Sequence, residues 1–568
     1  MRWGPEIDPL RIACGWEPGD LGKPWLLIES SAGDSHPGSV DLGRLVEAVR
    51  EGALEVGLTV GRYFCTDMCD GIAQGTEAMS YSLASRELLA MAAELHYRSG
   101  HFDGWVAVSS CDKAIPAHLI AAARLGAPVI FLPGGVMRTG PGDVSVDRVA
   151  ELFARFQRGE IDEEQYHRRS LGAAPCSGAC NFLGTAVTMQ ILTEAMGLSL
   201  PSAACCPTDV PEQRQLARST GAAASALVAN SVTAGDIITA EALENALVVH
   251  AAVGGSSNAM LHLPALAAEL GIVFSWRRVR EINDATPWLL NLRPSGAHTA
   301  DLFWHAGGVP RLMWELRDRL HLSVLTVTGQ TLGENLEQLH DDGFFEKKTA
   351  ILEKQGLTTR DIIFPAGAPL APRGSLVVLS GNLAPRGAVC KRSAVVPEMM
   401  KFTGRARVFD GQKPALAAAL NGGIKPGDAV IVRFEGPRAT GMPEMFYLTA
   451  ALAADPVLNK SVALITDGRF SGATRGPCVG HICPEAAEGG PIALLEDGDL
   501  VTIDLETGTI DITGTNGCSR QVQEIIEVLE GRLSSIKPWQ PPLGRGGMLG
   551  VFTRLVGQAD GGARISFE

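Results

Sequence analysis

One segment constrains the fold of this chain more than any other. Residues 104–135 read as strand, helix, strand. "GWVAVSS" is a short apolar run of strand length. "AIPAHLIAAARLG" has helical apolar spacing, with Pro116 in the first turn and Gly126 as a stop signal. "APVIFLPGG" is a second buried strand. Two buried strands joined by a crossover helix lie parallel, so the first part of the chain is expected to be an α/β domain built on a parallel sheet. Ligands of such sheets gather beyond the carboxyl ends of the strands. Here one strand ends in Cys111-Asp112-Lys113 and the next in Pro133-Gly134-Gly135.

At 568 residues the chain exceeds what one hydrophobic core supports. Helical patterns dominate 185–270, and the polar stretch 137–175, with "RGEIDEEQYHRRS", reads as a solvated connection. Near 370 the texture changes. "FPAGAPLAPRGSLVVLSGNLAPRG" is rich in Pro and Gly, and short strand-like runs follow: "RARVFDG", "DAVIVRFEG", "SVALITDG" and "DLVTIDLETGTIDI". The expected organisation is an α/β domain over 1–370 and a β-rich, barrel-like domain over 371–568.

The charge balance narrows the function. A net charge of −14 gives no electrostatic footprint for nucleic acid. Residues 246–268 lack Asp, Glu, Lys and Arg, but Gly254, Gly255, Asn258 and Pro264 interrupt them, so a buried loop between core elements is expected rather than a membrane span. The start, "MRWGPEIDPLRIACGW", has no apolar signal region, which points to the cytoplasm and to reduced cysteines. Twelve cysteines are too few for a disulfide scaffold in so long a chain, and the spacings Cys65-x3-Cys69 and Cys176-x3-Cys180 lack the paired pattern of a structural zinc site.

Four constellations could carry chemistry: "MCDGIAQGTEAMSYSLASRE" (68–87), "SCDK" (110–113), "CSGACNFLGTA" (176–186), and the glycine-flanked pair "EGPRATGMPE" (435–444) and "LITDGRFSGATRGP" (464–477). Each alone has a plain structural reading, as a core cysteine, a turn aspartate or a capped helix. Together they repeat a doublet, Cys69-Asp70 and Cys111-Asp112. Neighbouring side chains in extended backbone point to opposite sides. Two such loops could aim both sulfurs at one centre and both carboxylates at another. Thiolates select iron–sulfur clusters and carboxylates select Mg²⁺. Lys113 fits beside a cation if its pKa is depressed or if CO₂ converts it to an anionic carbamate.

These motifs resemble the family of dihydroxy-acid and sugar-acid dehydratases, which includes 6-phosphogluconate dehydratase. The likeness runs through nearly the whole chain, adding "VHAAVGGSSNAMLHLPALA", "HAGGVPRLMWEL", "LTVTGQTLGENLE", "SGNLAPRGAVCK" and "GGPIALLEDGDLVTID". The forms "MCDG" and "CNFLGTA" look closest to the sugar-acid branch, particularly xylonate-type enzymes. The resemblance implies a hydro-lyase that removes water across C2 and C3 of an aldonate such as xylonate or gluconate, giving a 2-keto-3-deoxy acid, in a homodimer or homotetramer. It implies an iron–sulfur cluster, [4Fe-4S] or [2Fe-2S], on Cys111 and Cys180. It implies Mg²⁺ on Asp70, Asp112, Glu444 and carbamylated Lys113, with Ser471 as the base. Many [2Fe-2S] members carry a third cysteine in a "P-C-N" segment. Here the corresponding stretch is "SHPGSVDL", where Gly38 follows Pro37. Cys69 is the candidate third ligand, with Cys65 and Cys176 as alternatives. Rival readings are the branched-chain dihydroxy-acid enzyme, a 6-phosphogluconate enzyme using cations such as Arg386, Lys391, Arg438 and Arg475, and a non-catalytic iron sensor.

Overall fold

The computed structural model describes residues 5–566 except 473, 475, 536–538 and 541–545, and leaves the side chains of 154 and 351 undescribed. Its first sheet has four parallel strands, β1 (Trp25–Ser30), β2 (Thr59–Phe64), β3 (Gly104–Ser109) and β4 (Val129–Pro133), in the order β2-β1-β3-β4. β1 is in register with both neighbours, Leu27 opposite Gly61 on one side and Trp105 on the other. Strands β1, β3 and β4 are buried along their whole length, as expected when helices cover both faces of a parallel sheet. The crossover helix spans Ala114–Leu125, with Pro116 in its first turn. It ends at Gly126, whose φ of 57° is left-handed.

Helices Leu42–Glu55 and Pro211–Asn230 pack across this sheet so closely that their backbones meet. A side chain at Gly52 would collide with the Arg218 carbonyl, and one at Gly221 with the Val49 carbonyl. The uncharged stretch 246–268 forms parts of two buried helices, Ala240–Val253 and Ala259–Glu269, joined by the loop 254–258. Pro264 lies inside the second helix rather than in the loop. No helix among the described residues is long and apolar enough to cross a membrane.

The polar stretch 137–175 differs from its expectation as a connection. It holds helices Val149–Gln157 and Glu163–Leu171, which close over a small core of Val144, Leu152, Ile161 and Ala173. The Phe156 and Tyr166 rings stack there at 5.3 Å. Widely spaced apolar residues suffice for such a satellite core, and the surrounding charges mask them in the sequence.

The remaining strands form one nine-stranded mixed sheet. They are β5 (Leu376–Leu379), β6 (Gly387–Lys391), β7 (Lys401–Asp410), β8 (Asp428–Arg433), β9 (Ala463–Thr466), β10 (Cys478–Cys483), β11 (Leu500–Asp504), β12 (Thr509–Thr515) and β13 (Cys518–Ser519). β7, β8, β9 and β10 run parallel, and the rest pair antiparallel. The sheet curls until Ser380, just past β5, bridges Thr509 of β12 at the opposite side. Two apolar cores line its faces, one around Ile431, Ile465 and Ile503, the other around Val430, Leu448 and Leu464. A further cluster joins the two parts of the chain, packing Leu83, Ala84 and Leu261 against Met442, Phe552 and Val556.

Candidate active site

The strand order places a crevice at the carboxyl ends of β1 and β3, because the chain leaves these neighbouring strands in opposite directions. Four loops gather there. The loop after β1 brings His36, Pro37 and Gly38; the one after β2 brings Asp67, Cys69 and Asp70; the one after β3 brings Cys111, Asp112 and Lys113. Beyond β4 the chain continues through Gly135 and Val136, which pair with Ala179 and so fix the position of Cys180. The Gly178 amide donates to the Pro37 carbonyl at 2.8 Å, tying the first loop to the fourth.

The sulfurs meet as the doublet reading expected. Cys69 and Cys111 lie within 4.8 Å of each other, and their interaction holds the Cys69 thiol below its ordinary value and, with burial, pushes Cys111 well above it. Burial also raises the Cys180 thiol, and the nearby charge of Cys69 adds to that rise. Among the described residues, one group brings three ligand atoms within 4.8 Å of one another: His36, Cys69 and Cys111. The two alternative cysteines are engaged elsewhere. Cys65 packs against the main core near Glu29, and its thiol is raised to about 11, chiefly by burial. Cys176 accepts hydrogen bonds from the Arg138 amide at 3.3 Å and the Thr208 hydroxyl at 3.6 Å.

The carboxylates form a second cluster beside the first. Asp70, 2% exposed, accepts from Lys113 Nζ at 2.8 Å and from the Ser82 hydroxyl at 2.7 Å. Glu444 comes from the other end of the chain. It accepts from Asn258 at 2.7 Å, from Gln74 at 2.7 Å and from Arg469 at 2.6 Å. Arg469 is fully buried and reaches both carboxylates, since its second terminal nitrogen lies 3.3 Å from Asp70. Burial alone would raise the Asp70 pKa; the Lys113 and Arg469 charges outweigh it and hold the group below its usual value. Asp112 shifts the other way, up to about 7, because burial and its neighbours Asp70 and Glu444 outweigh the attraction of Lys113. Asp67, half-buried on the same loop as Asp70, is raised to about 8, chiefly by burial.

Glu444 reaches this place through a tight turn. Gly441 (φ 87°) and Met442 (φ 59°) are both left-handed, and a side chain at Gly441 would strike the Ser80 carbonyl. Glu444 then bridges Arg469 backbone to backbone. Ser471, half-buried, follows two residues after Arg469. The adjoining Gly472 packs on Gly184, where a Cβ would lie 2.7 Å from the Gly184 Cα. The serine loop therefore rests on the "CNFLG" segment that carries Cys180.

All eight residues singled out from sequence lie on the loops that form this crevice or close over it. Sequence reasoning missed Arg469, Gln74, Ser82, Asn258 and His36. Arg469 and Asn258 sat inside quoted motifs, but one sequence does not show that a charged or amide group there is buried. Of the cations weighed for a phosphate, Arg386 is paired with Asp560 at 2.8 Å and Arg438 with Glu488. Lys391 lies in β6 with its amine buried, and Arg475 lies outside the described residues.

The donor sets suit two different groups. Thiols from three loops, with an imidazole whose two nitrogens have no hydrogen-bond partner, fit iron of a sulfur cluster. Buried carboxylates from distant parts of the chain fit a hard divalent cation such as Mg²⁺.

Comparison with known proteins places the chain in a family. The N-terminal model of the dihydroxy-acid/6-phosphogluconate dehydratases matches residues 23–335, and the C-terminal model matches 361–563. A dihydroxy-acid dehydratase of Caldicellulosiruptor bescii is 40% identical over 557 residues, 97% of this chain and 96% of that protein. One of Methanosarcina barkeri is 40% identical over 522 residues, covering 90% and 92%. Dihydroxy-acid dehydratase 1 of Methanosarcina acetivorans is 39% identical over 575 residues, covering 100% and 99%. All three relatives are named dihydroxy-acid dehydratases, whereas the cysteine motifs led to the expectation of a sugar acid.

Proposed function

Because the chain belongs to the dihydroxy-acid/6-phosphogluconate dehydratase family and is a dehydratase, a hydro-lyase, we propose that it removes water across C2 and C3 of an alkyl 2,3-dihydroxy acid, of the kind used in branched-chain amino-acid biosynthesis, to give the 2-keto acid. The observation that carries this choice of substrate is the full-length identity, near 40%, to relatives named for that reaction. Two features of the site support it. The half-buried Phe182 ring lies against Gly184, beside the serine loop, and offers an apolar surface to an alkyl tail. Arg386 and Arg438 are already paired, which leaves them poorly suited to hold a phosphate.

In this reading, Cys69, Cys111 and Cys180 hold the cluster, and Asp70, Asp112, Glu444 and Lys113 hold Mg²⁺. When bound, the cluster supplies a Lewis acid for the C3 hydroxyl, and Mg²⁺ stabilises negative charge on the substrate carboxylate and C2 oxygen. Lys113 acts as its carbamate. Conversion of the amine removes one positive charge and adds one negative, which offsets a divalent cation in a site where Arg469 already neutralises part of the acidic set. Arg469 holds Asp70 and Glu444 at a fixed separation, and Gln74 and Asn258 orient the Glu444 oxygens. Ser471 takes the C2 proton as an alkoxide, a form that an adjacent cation favours. The enol left by loss of water then takes a proton at C3 to become the keto acid. The enzyme acts in the cytoplasm as a homo-oligomer.

The test is an anaerobic assay of pure, metal-replete protein against 2,3-dihydroxyisovalerate, xylonate, gluconate, arabinonate and 6-phosphogluconate. The expected result is the highest kcat/KM with 2,3-dihydroxyisovalerate. A higher value for any sugar acid would overturn the substrate assignment and leave the reaction class standing.

A further inference from the structure

His36 is 6% exposed, and neither of its ring nitrogens has a hydrogen-bond partner. A buried imidazole with both nitrogens unsatisfied is costly, so its position needs a reason. Its surroundings supply one. A ring nitrogen lies within 4.8 Å of the Cys69 and Cys111 sulfurs. The loop that carries it is fixed from both sides. Ser39 donates its amide to the His36 carbonyl at 3.1 Å and its hydroxyl to the Gly33 carbonyl at 2.9 Å. Pro37 accepts from Gly178. Gly38 leaves the space clear: a Cβ there would lie 3.0 Å from the Cys111 sulfur and 3.4 Å from His36 Nδ1. A larger residue at 38 would push into the gap between imidazole and thiol.

We infer that His36 is a nitrogen ligand of the iron–sulfur cluster, joining Cys69, Cys111 and Cys180 in a mixed donor set. The inference rests on the proposal that this crevice holds the cluster. It adds a donor that sequence reasoning did not supply, since Gly38 stands where a third cysteine was sought. An imidazole is neutral, so exchanging it for a thiolate adds one negative charge to the cluster and lowers its reduction potential. A neutral donor is also the one that a substrate oxygen can displace without expelling a thiolate.

The experiment uses the full chain, reconstituted anaerobically with iron and sulfide, labelled with [¹⁵N]histidine and reduced. Pulsed EPR is expected to show one strongly coupled histidine nitrogen. His36→Cys should keep its iron and sulfide, lose that coupling and have a lower potential. His36→Ala should lose cluster iron or bleach faster in air. A cluster-loaded wild type without a strongly coupled histidine nitrogen, or one that keeps the coupling in His36→Cys, would overturn the ligand assignment alone. A wild type that takes up no iron and sulfide would overturn this inference and the cluster reading beneath it.

Discussion

The repeated Cys-Asp doublet shows what single residues reveal and what they hide. Alternation of side chains along extended backbone was enough to expect the sulfurs of Cys69 and Cys111 together, and the structure places them within 4.8 Å of each other. Arg469 was hidden because its role depends on burial and on partners 399 and 25 residues away in sequence, Asp70 and Glu444. The sugar-acid expectation has less support than its alternative for a related reason: it rested on the thiols of "MCDG" and "CNFLGTA", and such residues carry little information about a substrate's tail. Two substitutions test the assigned roles. Ser471→Ala should keep cluster and Mg²⁺ yet lower kcat by at least about 10²-fold, the lower end of general-base contributions. Solvent exchange of the substrate's C2 hydrogen should fall with it; near-normal exchange would reduce Ser471 to a turn residue. Lys113→Arg should fold and be inactive, because arginine brings a permanent cation to the proposed Mg²⁺ site and forms no carbamate. Activity in that variant with Mg²⁺ bound would remove Lys113 from the cation's shell.

Elements with strong periodicity were readable, and those with mixed composition were not. The strand–helix–strand unit at 104–133 falls where its apolar runs and its Pro and Gly signals put it. The helices at 149–157 and 163–171 were obscured by charge, since their small core uses few apolar positions. Strand β1 contains a further surprise, a fully buried Glu29 whose pKa burial raises to about 8. The His96 ring lies 3.0 Å away and is kept below its ordinary pKa by burial, so a protonated Glu29 donates to a neutral imidazole. Because the folded pKa exceeds the unfolded one, the folded state binds the extra proton. This contribution is fully present below the unfolded value, near 4.5, and is lost as pH rises through about 8. Glutamine can make the same hydrogen bond without titrating. Glu29→Gln should therefore become more stable relative to wild type as pH climbs from 5 to 9, read as the difference in thermal midpoints. A constant difference across that range would mean that Glu29 does not take up a proton on folding.

At the scale of the whole molecule, the acidic cluster is shared between two sheets. Asp70 and Lys113 come from loops of the first, and Glu444 and Arg469 from turns beside the second. A divalent cation held by both parts must stabilise their association. In metal-free protein, Mg²⁺ at a hundred times its Kd should add about 2.7 kcal/mol. For a chain of this size that corresponds to a rise of about 2 °C in Tm. Glu444→Gln should lose most of the rise, and an equal rise in that variant would take Glu444 out of the cation's shell. The same sharing sets an order of events during synthesis. A ribosome that has released the first 440 residues has exposed every cysteine of the crevice and two of its three acidic groups, but neither Glu444 nor Arg469. Until that last quarter emerges, Asp70 and Lys113 have only each other and Ser82. The full acidic set therefore exists only once the curled sheet has closed over the crevice.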